Sequence, residues 1–78
     1  MNQNQKIAQF VNTGAEITPL SAMMNLGVAR LASRINEINN QMVSIGFPKL
    51  TVTMKRTANN KRYAAYHGHV PSGLISYL

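Results

Sequence analysis

The chain opens with hydrophobic residues at helical spacing. Ile7, Phe10 and Val11 lie three and four positions apart, which predicts a first helix over roughly residues 3–13. Gly14 follows this segment, and glycine readily takes the left-handed backbone conformation that ends many helices.

A threonine, a proline and a glycine mark a second, shorter helix. Thr18 is a good N-cap because Pro19 follows it, and proline is favoured at the first helical position, where its missing N–H costs nothing. The helix is predicted over about residues 19–26 and is broken by Gly27. The residues expected to face inward are Leu20, Met23 and Met24.

The longest hydrophobic stripe belongs to a third helix, predicted to begin near Val28. Its apolar positions are spaced three, four, three and four residues apart, as on a helix with one buried face. They are Val28, Leu31, Ile35, Ile38 and Met42. The helix should end near residues 44–46, since Pro48 cannot continue it.

The hydrophobic period changes to two at Leu50, which indicates a β-hairpin. Leu50, Val52 and Met54 alternate with polar residues, as on a half-buried strand. Residues 58–60 predict the turn, because asparagine tolerates left-handed backbone angles. The second strand then covers about residues 61–70.

Three short segments complete the pattern. Residues 1–4 are polar and are expected to fray, and residues 15–17 form a connector that can pair as a small strand. Residues 70–78 begin with a turn and end in an apolar tail. Two places are open for this tail: the core of its own domain, or a second subunit.

These elements predict one α+β domain over residues 1–78, with three helices followed by a hairpin. A chain of 78 residues is near the lower end of what folds alone, and without cysteine it has no disulfide to help. Self-association or a bound partner would be a natural source of further stability.

Charge is the compositional feature that changes the picture most. Eight basic residues face two acidic ones, so the net charge is +6. Such a surface attracts polyanions, of which nucleic acid is the first candidate and an anionic membrane the rival. No hydrophobic run approaches the roughly 20 residues that span a bilayer, and the polar N-terminus does not resemble a signal peptide. We therefore expect a cytoplasmic protein without a membrane partner.

Catalytic and metal-binding residues are sparse in this sequence. Glu16 and Glu37 are the only carboxylate side chains, and no nucleophile–base arrangement can be assembled around them. His67 and His69 share one face of a strand, but no Cys, Asp or Glu lies nearby to complete a metal site. We expect a protein that is not an enzyme and that binds neither a metal nor a cofactor.

Residues 18–38 predict a helix, a glycine turn and a second helix, and the basic segment 49–62 follows. A helix-turn-helix followed by a basic hairpin is suited to holding duplex DNA. The candidate base-reading residues at the start of the third helix are Ala29, Arg30, Ser33 and Arg34. The alternative for the two arginines is a solvated face, on which Arg34 pairs with Glu37.

Four basic residues flank the predicted hairpin turn, where they can straddle a phosphate backbone or enter the adjacent minor groove. They are Lys55, Arg56, Lys61 and Arg62. Asn59 and Asn60 at the tip can donate to phosphates, although asparagine is also ordinary in turns. Thr18 is primarily a cap, and the start of its helix can present free amides to a phosphate.

Three segments carry a resemblance to a known family. They are Ile-Thr-Pro-Leu-Ser-Ala (17–22), Leu-Gly-Val-Ala-Arg-Leu-Ala-Ser-Arg-Ile-Asn-Glu-Ile (26–38) and Lys-Arg-Tyr-Ala-Ala-Tyr (61–66). In this order they resemble small phage and prophage winged helix-turn-helix proteins, over about residues 6–68. The resemblance implies a winged fold that binds DNA. Such proteins often carry Leu-Arg where this chain has Ile38-Asn39, and the tail lies outside their pattern.

The predicted function is therefore sequence-preferring binding of double-stranded DNA, with the third helix in the major groove and the wing on the backbone. The expected role is a small phage or mobile-element transcriptional regulator, with a homodimer as an open possibility. Two alternatives remain: an excisionase-like architectural protein that bends DNA, and a protein-interaction module that uses the same fold to inhibit an acidic host protein.

Overall fold

The computed structural model describes residues 1–78 and contains four helices and one hairpin. The elements in order are α1 (Gln3–Asn12), α2 (Pro19–Leu26), α3 (Leu31–Ser44), β1 (Thr51–Arg56), β2 (Arg62–His67) and α4 (Ser72–Ile75). β1 and β2 pair antiparallel, with Thr51 opposite His67 and Arg56 opposite Arg62. The predicted α+β order of three helices and a hairpin is confirmed, and α4 is a short addition.

One hydrophobic core joins the helices to the base of the hairpin. The apolar stripe predicted on the third helix is buried along its whole length, from Val28 to Met42. Ile7 and Val11 of α1 pack against the same core and are fully buried. Burying each such side chain stabilises the fold by about 1.5–3 kcal/mol, so this stripe is the main support of the domain.

α2 packs through a different face from the predicted one. Leu20, Met23 and Met24 were expected inside, but their exposed fractions are 67%, 57% and 74%. The residues that α2 places on the core are Ala22, which is fully buried, and Leu26, which is partly buried. These two residues are also one helical turn apart. The prediction for this helix face was wrong.

The turn between α2 and α3 is longer than predicted. Thr18 and Ser21 form a capping box at the start of α2, in which the Ser21 N–H donates to Thr18 Oγ1 at 3.1 Å. Gly27 takes a left-handed conformation with φ of 68° and ends the helix. Val28 is buried within the turn, and its N–H donates to the Ala22 carbonyl at 3.1 Å. Because Val28 anchors the turn in the core, α3 begins only at Leu31.

The hairpin extends beyond the core. Val52 and Met54 are more than half exposed, so the prediction of a half-buried first strand was wrong. β1 is paired only to β2, whereas β2 also pairs with Ile17, whose N–H donates to the Tyr66 carbonyl at 2.9 Å. The short connector therefore does form a small strand contact. Asn60 has a φ of 62°, as expected for an asparagine in this turn.

The N-terminal residues, for which the sequence predicts fraying, form a capping box at the start of α1. Asn2 Oδ1 accepts from the Gln5 N–H at 2.8 Å, and Gln5 Oε1 accepts from the Asn2 N–H at 3.1 Å. Asn2 Nδ2 also donates to the Leu78 carbonyl at 2.8 Å, which joins the two ends of the chain. Sequence periodicity did not reveal this contact because its partners are 76 positions apart.

The C-terminal tail lies against α1 of the same domain. Val70 and Leu74 are buried, and Ile75 and Leu78 pack partly against the core. The side chain of Asn12 accepts from the Val70 N–H and donates to the Val70 carbonyl, both at 2.8 Å. Of the two places open for the tail, the structure shows the first. None of the four helices has the length and apolar character needed to cross a membrane.

Candidate nucleic-acid interface

The solvent face of α3 carries small polar side chains. Since Leu31, Ile35 and Ile38 point into the core, the opposite side of the helix is open to solvent. The exposed residues there are Ser33, Asn36 and Asn40, with Ala32 and Val43 on the flank. Ser33, Asn36 and Asn40 make no side-chain hydrogen bond within the protein, so their donors and acceptors are available to a ligand.

Arg34 is held at the contact between α3 and α1. Its Nε donates to Gln3 Oε1 at 3.1 Å, and one terminal nitrogen donates to Glu37 Oε1 at 3.1 Å. Its side chain lines a hollow of about 340 Å³ beside the start of α1. The ion pair with Glu37, which was the alternative for this arginine, is thus formed, and the guanidinium points to the side of the solvent face.

Glu37 is surrounded by donors. Its Oε1 accepts from Asn4 Nδ2 at 3.0 Å as well as from Arg34. The hydrogen bond from Asn4, and then that from Arg34, hold the pKa of this carboxyl below its ordinary value of 4.5. Glu37 therefore stays ionised and joins α1 to α3.

Ala29 and Arg30 lie before α3 and not on it. Both are exposed in the turn that follows Gly27, and Arg30 is the N-cap residue of α3. The guanidinium of Arg30 has no carboxylate partner. Of the two predicted arginines, Arg30 is the one that remains available to a polyanion at the start of the candidate recognition helix.

Two basic side chains of the wing are bonded within the protein, and two are not. Lys55 forms an ion pair with Glu16, and this hydrogen bond raises the pKa of Lys55 above its ordinary value of 10.5. One terminal nitrogen of Arg56 donates to Asn60 Oδ1 at 2.7 Å across the turn. Lys61 is exposed and its side chain makes no bond within the protein. Arg62 is also exposed, and its side chain makes no bond within the protein. Asn59 is exposed at the tip of the hairpin.

A groove of about 390 Å³ separates the start of α2 from the wing. It brings together predicted residues from distant parts of the chain: Thr18, Lys61 and Arg62. The hydroxyl of Thr18 is used by its capping box, so Thr18 acts as a cap. Pro19 has no N–H and the Ser21 N–H is bonded in the capping box, so the Leu20 N–H and the two cations remain to face a phosphate in this groove.

The basic residues outside the two ion pairs account for the whole net charge. Each carboxylate side chain pairs with one base, which neutralises Arg34 and Lys55. Six basic residues remain without a carboxylate partner, equal to the net charge of +6. They are Lys6, Arg30, Lys49, Arg56, Lys61 and Arg62. No group of three or more His, Asp or Glu side chains comes together to hold a metal ion.

Sequence reasoning overlooked Asn36 and Asn40 as possible contacts because it followed charge along α3. The apolar stripe itself carried the missing signal, since both residues lie opposite the stripe and one turn apart. Asn39 is a different case. Its Oδ1 accepts from the Leu50 N–H at 2.9 Å, so Asn39 holds the residue that precedes β1.

Comparison with known proteins supports the domain type. A family model described as a winged helix-turn-helix domain matches residues 2–67. The matched span contains α1, α2, α3 and the complete hairpin, and leaves the tail outside. No curated protein and no solved structure matches the chain significantly.

Proposed function

The chain belongs to the winged helix-turn-helix domain family, and on that premise we propose that it is a sequence-preferring double-stranded DNA-binding protein. α3 enters the major groove, and the wing lies along the phosphate backbone. Its role is transcriptional regulation in a phage or another mobile element, in the cytoplasm of the host cell. The resemblance of residues 17–22, 26–38 and 61–66 to phage and prophage proteins supports this origin.

The observation that carries the proposal is the uncommitted polar face of α3 beside unpaired cations. Ser33, Asn36 and Asn40 have free hydrogen-bonding groups on an exposed helix face. Arg30 stands at the start of that helix, while the wing supplies further unpaired cations. Polar groups for base edges and cations for phosphates are the two contact classes of a DNA reader.

Duplex binding measured against salt concentration tests the proposal. A fluorescent duplex from a random library should bind, and log K should fall linearly with log salt by about 0.9 for each phosphate contacted. The combined change of Arg30, Lys61 and Arg62 to Gln should weaken binding to all sequences. Gln9→Ala, on an exposed position of α1, is the matched control and should leave binding unchanged. Absence of duplex binding at low salt would refute the proposal.

Regulator and excisionase differ in what they do to the DNA. A regulator occupies a promoter, with little need to deform it, whereas an excisionase binds repeated sites and bends them. Gel mobility of duplexes with the selected site moved from end to centre distinguishes the two. If the mobility of the complex does not depend on where the site lies in the duplex, the regulator is supported. If the mobility is much lower when the site lies at the centre, the architectural role is supported. Sedimentation with paired half-sites tests whether the protein binds as a homodimer.

Inhibition of an acidic host protein is the second candidate, and the exposed apolar face of α2 favours it. Leu20, Met23 and Met24 form an apolar surface on a domain with a net positive charge. Substituting all three by Ser removes this surface without touching the core. A variant that keeps its DNA affinity but loses its effect on the host supports the inhibitor, whereas a variant that keeps both functions counts against it.

A further inference from the structure

We infer that α3 reads an A·T base pair, with Asn36 as the residue that recognises the adenine. The inference rests on the proposed function and adds the sequence class that the site prefers. It follows from which side chains of α3 are already engaged in the fold and which are free.

The fold engages the arginine of α3 that could recognise guanine in contacts within the protein. An arginine on a recognition helix selects guanine, because guanine presents two acceptors to the major groove. Arg34 is the only arginine within α3, and its guanidinium is bonded to Gln3 and Glu37. The other nearby arginine, Arg30, lies before the first helical turn. The exposed side chains of α3 that have no partner within the protein, among them Ser33, Asn36 and Asn40, are therefore neutral.

The groups that remain on this face match adenine. A carboxamide can donate to adenine N7 and accept from adenine N6 at the same time. Guanine presents no donor at these positions, so the same carboxamide cannot form both bonds to it. The exposed methyl group of Ala32, one turn before Asn36, is suited to contact with a thymine methyl.

Position along the helix selects Asn36 among the three asparagines in the middle of α3. Asn36 is the sixth residue of α3 and lies in the N-terminal half, from which recognition helices reach base edges. Asn40 lies one turn further from that end, on the same exposed face. Asn39 is excluded because its oxygen is bonded to the Leu50 N–H.

Selection from random duplexes, followed by replacement of single atoms, tests the inference. The selected site should contain an A·T pair whose exchange for G·C lowers affinity about tenfold. Replacing that adenine by 7-deazaadenine, which lacks the N7 acceptor, should weaken wild-type binding. Asn36→Ala should lose affinity for the selected site and become indifferent to both replacements. Alanine favours helix, so this variant should stay folded, as circular dichroism will verify.

Two further variants sharpen the result. Gln9→Ala removes an exposed amide from α1 and should keep the full preference for adenine. Asn36→Asp retains the acceptor but loses the donor, so the preferred base at this position should change towards cytosine, whose N4 is a donor.

The inference and the proposed function fail in different ways. If duplex binding is absent, the proposed function has failed. If binding is strong but the selected position is G·C, and Arg30→Gln removes the preference, the adenine reading by Asn36 is overturned while DNA binding stands. An unchanged adenine preference in Asn36→Ala would overturn it as well.

Discussion

At the scale of single residues, neighbouring polar positions on one helix have different tasks. Arg34 and Asn36 are both polar and both lie off the apolar stripe of α3. Arg34 joins α3 to α1 through Gln3, whereas the side chain of Asn36 has no partner in the protein. The sequence placed both outside the core, but it contained no sign that Gln3, 31 positions earlier, would engage the arginine.

Arg30→Gln and Arg34→Gln are expected to have opposite profiles. Arg30 is unpaired at the start of α3, so its loss should weaken duplex binding by one phosphate or base contact. Loss of Arg34 removes a surface ion pair and should lower Tm by no more than a few degrees, without changing base preference. Thermal unfolding and duplex competition measure the two effects. If Arg34→Gln loses base preference and Arg30→Gln keeps it, the structural role given to Arg34 is contradicted.

At the scale of elements, the tail and the wing depend on contacts with distant parts of the chain. Leu74 of α4 is buried, whereas Tyr77, three residues later, is 79% exposed. Leu74→Ala should lower the free energy of unfolding by about 2–5 kcal/mol, as for other buried leucines. Tyr77→Ala should change it by about 0.5 kcal/mol or less. Equal denaturation midpoints for the two variants would show that α4 does not pack on the domain.

Removing the tail tests the same element as a whole. Truncation after Ser72 deletes Leu74, Ile75 and Leu78, and with them the bond from Asn2 to the last carbonyl. We expect a lower Tm and earlier exchange of the α1 amides, because α1 loses both apolar cover and this bond. The family match ends at residue 67, so the truncated chain retains the matched domain. Unchanged exchange in α1 would contradict the role given to the tail.

The cations of the wing should differ in their effect on salt dependence. Lys61→Gln and Arg62→Gln each remove an unpaired charge, and each should flatten the slope of log K against log salt by about 0.9 if the residue contacts a phosphate. Lys55 is paired with Glu16, so Lys55→Gln should change the slope less. Glu16→Gln releases Lys55 and should strengthen binding. Equal slopes for all four variants would contradict the division of the wing into paired and unpaired cations.

At the scale of the whole molecule, both carboxylates are involved in bringing distant elements together. Glu37 joins α3 to α1, and Glu16 joins the connector to β1. The sequence showed how few acids the chain has and offered Arg34 as a partner for Glu37, but gave no sign that Glu16 pairs with Lys55. Charge counting therefore overstated the free charge at Arg34 and Lys55.

Acid should destabilise the domain partly through Glu37. Its pKa is lowered in the folded state, so near its ordinary pKa of 4.5 the unfolded chain binds more protons than the folded protein. Its contribution to stability is therefore present above pH 4.5 and is lost as pH falls through the lower folded pKa. The Tm of the wild type should drop more steeply below pH 4.5 than that of Glu37→Gln. Parallel curves for the two proteins would contradict this role.

Stability at alkaline pH should depend on Lys55 in the opposite sense. Its pKa is raised in the folded state, so its contribution is present below its ordinary pKa of 10.5 and is lost as pH rises through the folded value. The Tm of Lys55→Gln should therefore fall less at alkaline pH than that of the wild type.

The sequence by itself determined the order of helices, turn and hairpin, the buried stripe of α3 and the excess of positive charge. These features depend on residues close together in the chain, where hydrophobic period, proline, glycine and asparagine act on the local backbone. Only the tertiary structure decided which face of α2 is buried, that Lys55 is paired with Glu16, where the tail lies and which polar groups of α3 remain free. Those outcomes depend on contacts between residues far apart in sequence, such as Asn2 with Leu78 and Lys55 with Glu16, and no local period encodes them.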